Sequence, residues 1–192
     1  MFVLGIDPGL SRCGYGLIET GGPGSRRQGE AVLAGVLRTD PSDRVPLRLL
    51  ALRDDLCALL CTHRPDVVAV ERVLFQSNAR TAIPVAQAAG VVMVEAQNAG
   101  CQVVEYSPNQ VKQSVTGAGA ADKQQVQRMV QTLLGMTHPL RPADAADALA
   151  VALCHVAHAP LNARLANDAS GGVYPPSAAD TRPQNRRRLG VP

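Results

Sequence analysis

The chain has 192 residues, 46% of them hydrophobic, with a net charge of +3 and a pI near 8.7. That length supports one domain with a real core, and no run of about 18 apolar residues offers a membrane span. The opening MFVLGIDPG is too short and too soon acidic for a secretion signal.

Phe2 to Ile6 is a short apolar run ending at Asp7 and reads as a first strand. Tyr15 to Ile18 and Ala31 to Leu37 read as a second and third, joined through the loop GGPGSRRQGE, so an antiparallel meander is expected. Arg44 to His63 repeats leucine at three- and four-residue steps and predicts a helix with one buried face. Val67 to Val70 is a continuous apolar run ending at Glu71, which suits a strand buried on both faces. Ala79 to Ala99 predicts a helix stopped by Gly100, and Gln102 to Tyr106 a fifth strand.

Ser107 to Gln110 carries a helix start, with Ser as cap, Pro first and Gln in the capping-box position. That helix ends near Gly117, and the loop TGAGAADK leads into another. There Val126, Met129, Val130, Leu133 and Leu134 keep one apolar face. A last helix spans about Ala143 to His158. From Pro160 the composition turns to Pro, Gly, Asn, Ser and Arg, so 1–160 is expected to be the folded domain and 161–192 a disordered basic tail. That tail holds five arginines against two aspartates, which is the whole charge excess. The expected architecture is α/β: a five-stranded mixed sheet, three antiparallel strands then two parallel ones, with helices on both faces.

Five cysteines (Cys13, Cys57, Cys61, Cys101, Cys154) form an odd set without a CxxC pair. They read as reduced, mostly buried thiols of a cytosolic protein. Cys57, Cys61 and His63 could make a metal corner, but no second Cys/His pair of suitable spacing completes it.

The acids carry more. Asp7 and Glu71 each end a strand, and parallel neighbours would bring both to one sheet edge, where open α/β sheets place ligands. Asp144 and Asp147, three apart, share one helical face. Each alone has a plain reading as a turn or helix-end charge. Together, four clustered carboxylates stay ionised only with cations among them. Hard oxygen ligands suit Mg²⁺ or Mn²⁺, and two such ions make a phosphodiester-cleaving site that needs no Ser, Cys or His nucleophile.

GIDPGLSRCGYG (Gly5 to Gly16), AVERVLFQSNARTA (Ala69 to Ala82), QVKQSVTGAGAADKQQV (Gln110 to Val126) and ADAADALAVALCH (Ala143 to His155) closely resemble the RuvC family. These are bacterial crossover junction endodeoxyribonucleases of the ribonuclease-H-like superfamily. The resemblance implies a ribonuclease-H-like fold and a homodimer that binds four-way (Holliday) DNA junctions. It implies paired symmetric Mg²⁺-dependent nicks leaving 5′-phosphate and 3′-hydroxyl ends, in recombination and repair, beside the branch-migration proteins RuvA and RuvB. The family's catalytic, metal-holding acids fall on Asp7, Glu71, Asp144 and Asp147, with two ions per site implied and Mn²⁺ able to substitute. Its phosphate-contacting lysines fall on Lys112 and Lys123.

Those are the only two lysines among 17 arginines, and they flank the GAG loop, where an ammonium beside a helix start suits phosphate. After Glu71 the family often shows two aromatics, one wedging into the opened junction; here the pair is Leu74-Phe75, and an apolar wedge still unstacks bases. Arg72, Asn78 and Arg80 on that segment are further candidate DNA contacts. The helix Ala79 to Ala99 reads as a core helix or as a dimer surface. The Gly-rich hairpin is also similar to that of actin-like ATPases and sugar kinases, but the chain is too short for their second phosphate loop and duplicated domain.

Overall fold

The computed structural model describes residues 1–21, 29–73, 79–138 and 140–170, without the side chains of 79–81 and 160–170. In chain order the elements are β1 (Phe2–Asp7), β2 (Arg12–Thr20), β3 (Gly29–Arg38), α1 (Val45–His63), β4 (Val67–Glu71), α2 (Ala79–Asn98), β5 (Gln102–Tyr106), α3 (Pro108–Thr116), α4 (Lys123–Leu133) and α5 (Ala143–Ser170). The five strands form one sheet in the order β3-β2-β1-β4-β5. β1 pairs antiparallel with β2 and β2 with β3, while β1–β4 and β4–β5 are parallel. This is the mixed sheet expected from the sequence.

Alternation along β1 and β4 divides the core between two faces. Leu4, Ile6, Val68 and Val70 pack with Leu52, Leu56 and Leu60 of α1 and Ala88, Val92 and Ala96 of α2. Val3, Val67 and Ala69 face the other way, onto Val111 and Val115 of α3, Val126 and Val130 of α4, and Leu149 to Cys154 of α5. Asp7 and Glu71 continue this second series by the two-residue period, so both acids belong to the face that α5 covers.

α5 is buried from Ala145 to Cys154 apart from half-buried Asp147, as a helix apolar on all sides must be. It also lies unusually near the sheet. A Cβ on Gly5 would sit 2.0 Å from the Ala148 carbonyl oxygen, and one on Gly14 would sit 2.3 Å from that of Asp144. β2 is longer than the strand expected from Tyr15 to Ile18. Its glycines weaken a strand signal, yet here they admit the helix backbone.

Two helix starts carry capping boxes, Ser107 with Gln110 and Asp122 with Gln125; the second goes beyond the sequence reading. Residues 1–160 form one compact unit, and 161–192 fall in another. α5 runs past the expected His158 to Ser170, so the segment expected to open a disordered tail is helical over 161–170. LNARLANDAS is rich in the helix formers Ala and Leu and holds no glycine before Gly171. Residues 171–192 lie outside the described residues. All five cysteines are free thiols, Cys13, Cys101 and Cys154 buried. Among the described residues no helix is long and apolar enough to cross a membrane.

Candidate active site

The parallel register Ile6↔Val70 puts the next residues of the two strands, Asp7 and Glu71, side by side at the carboxyl edge of the sheet. α5 enters over that edge and brings Asp144 and Asp147 on its first turns. Asp7, Glu71, Lys112, Lys123 and Asp147 line one cavity of about 340 Å³, floored by Val111, Val126 and Ala150. Asp144 stands outside that lining, but its charge still acts on Asp7.

The electrostatics record the crowding. Asp7 has its pKa pushed up to about 7, first by burial and then by the charges of Glu71 and Asp147. Glu71 is raised for the same leading reason, with Asp147 adding to it and Lys123 and Lys112 opposing. Lys123 Nζ lies 2.6 Å from Asp147 Oδ2, and that hydrogen bond raises the lysine's pKa. Arg12 binds Asp144 through Nε, at 3.1 Å, and through a terminal guanidinium nitrogen, holding the carboxyl below its usual range.

Sequence reasoning misses Arg12. Its only local signal is its place five residues after Asp7 in GIDPGLSRCGYG; the partner is 132 residues away. Tyr106 and His155 are likewise new. Tyr106 Oη lies 2.9 Å from His155 Nδ1 in a buried contact, and Tyr106 is the register partner of Glu71, so the bond ties the Glu71 end of the sheet to α5. Burial, then the charge of His158, lowers the pKa of His155.

At the start of α4 the Asp122 side chain accepts from Gln125 N at 2.8 Å. Lys112 and Lys123 both reach the cavity, but Lys123 does so on Asp147. Arg72 is exposed, and its backbone N–H donates to Tyr106 O at 2.8 Å. Arg80 lies in α2 without a described side chain, and Leu74, Phe75 and Asn78 lie outside the described residues.

Among the described residues no three Asp, Glu, His or Cys side chains already converge as a ligand set, the Cys57–Cys61–His63 corner included. Arg12 and Lys123 hold oxygens of Asp144 and Asp147 instead. The donor chemistry nevertheless fits a hard divalent cation: every group is a carboxylate, and Asp7, whose ionisation is opposed first by burial and then by the charges of Glu71 and Asp147, is a carboxylate that a bound cation would favour.

A family model described as "Crossover junction endodeoxyribonuclease RuvC" matches residues 3–155. A crossover junction endodeoxyribonuclease RuvC of Salinispora arenicola is 54% identical over 166 residues, 86% of this chain and 93% of that one. Its counterpart from Frankia casuarinae is 49% identical over 172 residues, 90% and 98% of the two chains. The Thermus thermophilus RuvC solved in complex with Holliday junction substrate superposes with a TM-score of 0.78 at 36% identity, covering 84% of this chain and 96% of that one. By sequence over most of its length and by fold, this chain belongs to the RuvC family of crossover junction endodeoxyribonucleases.

Proposed function

We propose that this chain resolves four-way (Holliday) DNA junctions by paired symmetric nicks in recombination and repair, with Asp7, Glu71, Asp144 and Asp147 as its catalytic, metal-holding acids. The observation that carries the assignment of the acids is the β1–β4 register, which sets Asp7 beside Glu71 under the first turns of α5. The family is one of metal-dependent nucleases; here the metal is Mg²⁺, two ions per site, with Mn²⁺ able to replace it. Held by those acids, the ions would supply an activated water and stabilisation for the leaving 3′ oxygen. The protein's own part is to hold four carboxylates on rigid strand and helix ends and to keep the cavity floor apolar. Cleavage leaves 5′-phosphate and 3′-hydroxyl ends.

Charge distribution supports a DNA path along α3 and α4. Between Ser107 and Pro142 the charged residues are Lys112, Lys123, Arg128 and Arg141 against Asp122 alone, and the Asp122 carboxylate is committed to its helix cap. Lys112 contacts phosphate, and Lys123 does so when it leaves Asp147. Leu74, Phe75, Arg72, Asn78 and Arg80 are further DNA contacts, with Leu74 or Phe75 as the wedge. RuvA and RuvB are the partner proteins, and the cytoplasm is the location.

The functional unit is a homodimer, since a junction presents two equivalent strands to a two-fold protein. α2 supplies the surface. One side of it is core, through Ala88, Val92 and Ala96. The other exposes Ile83 and Val94, and Val94 with Leu50 of α1 borders an apolar groove of about 600 Å³. Val94→Glu is expected to yield monomers in sedimentation and to abolish pairing of the nicks, because it places a charge in that groove. A Val94→Glu dimer would move the interface elsewhere.

The test of the function is a mobile synthetic four-way junction incubated with Mg²⁺, beside a linear duplex of the same sequence. Paired, ligatable nicks confined to the junction support it, and equal cutting of the duplex would point to a general nuclease. On the same junction without cleavage, Lys112→Ala is expected to weaken binding and to lower the slope of log K against log salt by roughly one phosphate contact. An unchanged slope would remove Lys112 from the DNA path.

A further inference from the structure

The acid cluster contains a feature that the proposed metal chemistry does not use. Arg12 opens β2 and reaches α5, where two nitrogens of its guanidinium meet the same oxygen, Asp144 Oδ2. The side chains are 42% and 26% exposed, so the pair is more than a fully solvated surface contact. Its setting is rigid. Two residues along β2, Gly14 lets the Asp144 backbone lie directly against the strand, so the spacing of Arg12 and Asp144 is set by backbone packing.

Across the sheet Arg12 is the register partner of Arg38. Like charges directly opposite one another on neighbouring strands are unfavourable. Asp144 is the only carboxylate paired with Arg12 among the described residues. Arg12 thus has a reason to hold Asp144, and Asp144 a reason to accept it, since the neighbouring Asp7, Glu71 and Asp147 carry the same sign.

We propose that Arg12 is a positioning residue of the acid cluster: its guanidinium holds the Asp144 carboxylate in the metal-free protein and competes with divalent metal for it. Lys123 stands in the same relation to Asp147, but it also serves the DNA path, whereas Arg12 acts on the acid alone. The consequence is a site that folds without metal and binds metal less tightly in exchange. The proposal rests on the reading that the four acids hold metal.

Mn²⁺ titration followed by the paramagnetic signal of the free ion measures affinity without turnover. Arg12→Gln is expected to bind Mn²⁺ roughly five- to tenfold more tightly than wild type, by loss of the cation that occupies the Asp144 carboxylate, and to melt at a lower temperature without metal. Arg12→Lys keeps the charge without the planar fork and should fall between the two. In the Asp144→Asn background the Arg12→Gln substitution should change Mn²⁺ affinity little, because the shared partner is gone. Unchanged or weaker Mn²⁺ binding by Arg12→Gln overturns the proposal, and so does a full tightening that persists when Asp144→Asn is also present. Wild-type-like Mn²⁺ binding by Asp7→Asn and by Asp144→Asn would instead overturn the metal reading beneath it.

Discussion

Asp7→Asn is expected to abolish junction cutting, to leave junction binding within about twofold of wild type, and to raise the melting temperature of the metal-free protein at pH 8. The first effect follows from the proposed site: one acid of such a metal-holding set is worth several kcal/mol of transition-state stabilisation, which is on the order of a thousandfold in rate. The second follows because Asp7 lines the cavity at the end of β1 and offers no positive charge to DNA. The third follows from proton linkage. Asp7 holds its proton up to about pH 7 in the folded chain, against an ordinary value of 3.8. The folded state therefore binds more protons than the unfolded one between about pH 4 and pH 7, and stability falls as pH rises through that window.

Above pH 7 the ionised Asp7 is buried among like charges, and asparagine, which cannot ionise, relieves them. The expected gain is roughly 5 °C or more without metal. Adding Mg²⁺ should stabilise wild type and not the variant. Calorimetry at pH 5 and pH 8, with and without Mg²⁺, checks all of this. A variant that melts below wild type at pH 8 would give Asp7 a structural role. Loss of junction binding along with cutting would do the same.

Gly14→Ala is expected to have the second largest effect, from a single methyl group. Its Cβ would stand 2.3 Å from the carbonyl oxygen of Asp144 and 2.9 Å from the carbonyl carbon. These are backbone atoms of a packed helix, so they cannot rotate away. Either α5 lifts from β2 or the strand gives. Overpacking of this kind costs about 1–3 kcal/mol, roughly 3–10 °C in a domain of this size.

The chemical loss should exceed the stability loss. A shift of about 1 Å in a catalytic group can cost on the order of a hundredfold in rate, and Asp144, one of the proposed catalytic acids, is the residue being pushed. Gly5→Ala meets Ala148 O at 2.0 Å and Ala152 N at 2.7 Å. It strikes α5 a turn beyond Asp144, at Ala148 beside Asp147 and at Ala152, so stability should fall as much or more, and any excess loss of cutting would act through Asp147 rather than Asp144. Melting curves and cleavage rates of the two variants separate these outcomes. A Gly14→Ala protein that melts and cuts like wild type would mean that α5 does not rest on β2.

Much of this protein is determined by local sequence alone. The two-residue alternation in FVLGID and VVAVE assigns Asp7 and Glu71 to the same side of their strands as Val3 and Val67. The all-apolar run after Asp147 marks a buried helix. Ser107 and Gln110 announce a helix start that the structure contains. Each signal lies within a few residues, where backbone period and capping chemistry act.

The rest follows from contacts between segments far apart in the chain. Nothing local in GIDPGLSRCGYG shows what Gly14 is for until α5, distant in the chain, is laid against it. The pairing of Arg12 with Asp144 and the bond from Tyr106 to His155 join segments 132 and 49 residues apart, and no local pattern encodes such partners. α2 reads as either core or surface because its period shows an apolar face without saying how many partners cover it; the sheet takes one side and leaves Val94 exposed. Periodicity states which way a side chain points. What it meets there is set by packing between distant elements, and that packing brings the acids and their cations together.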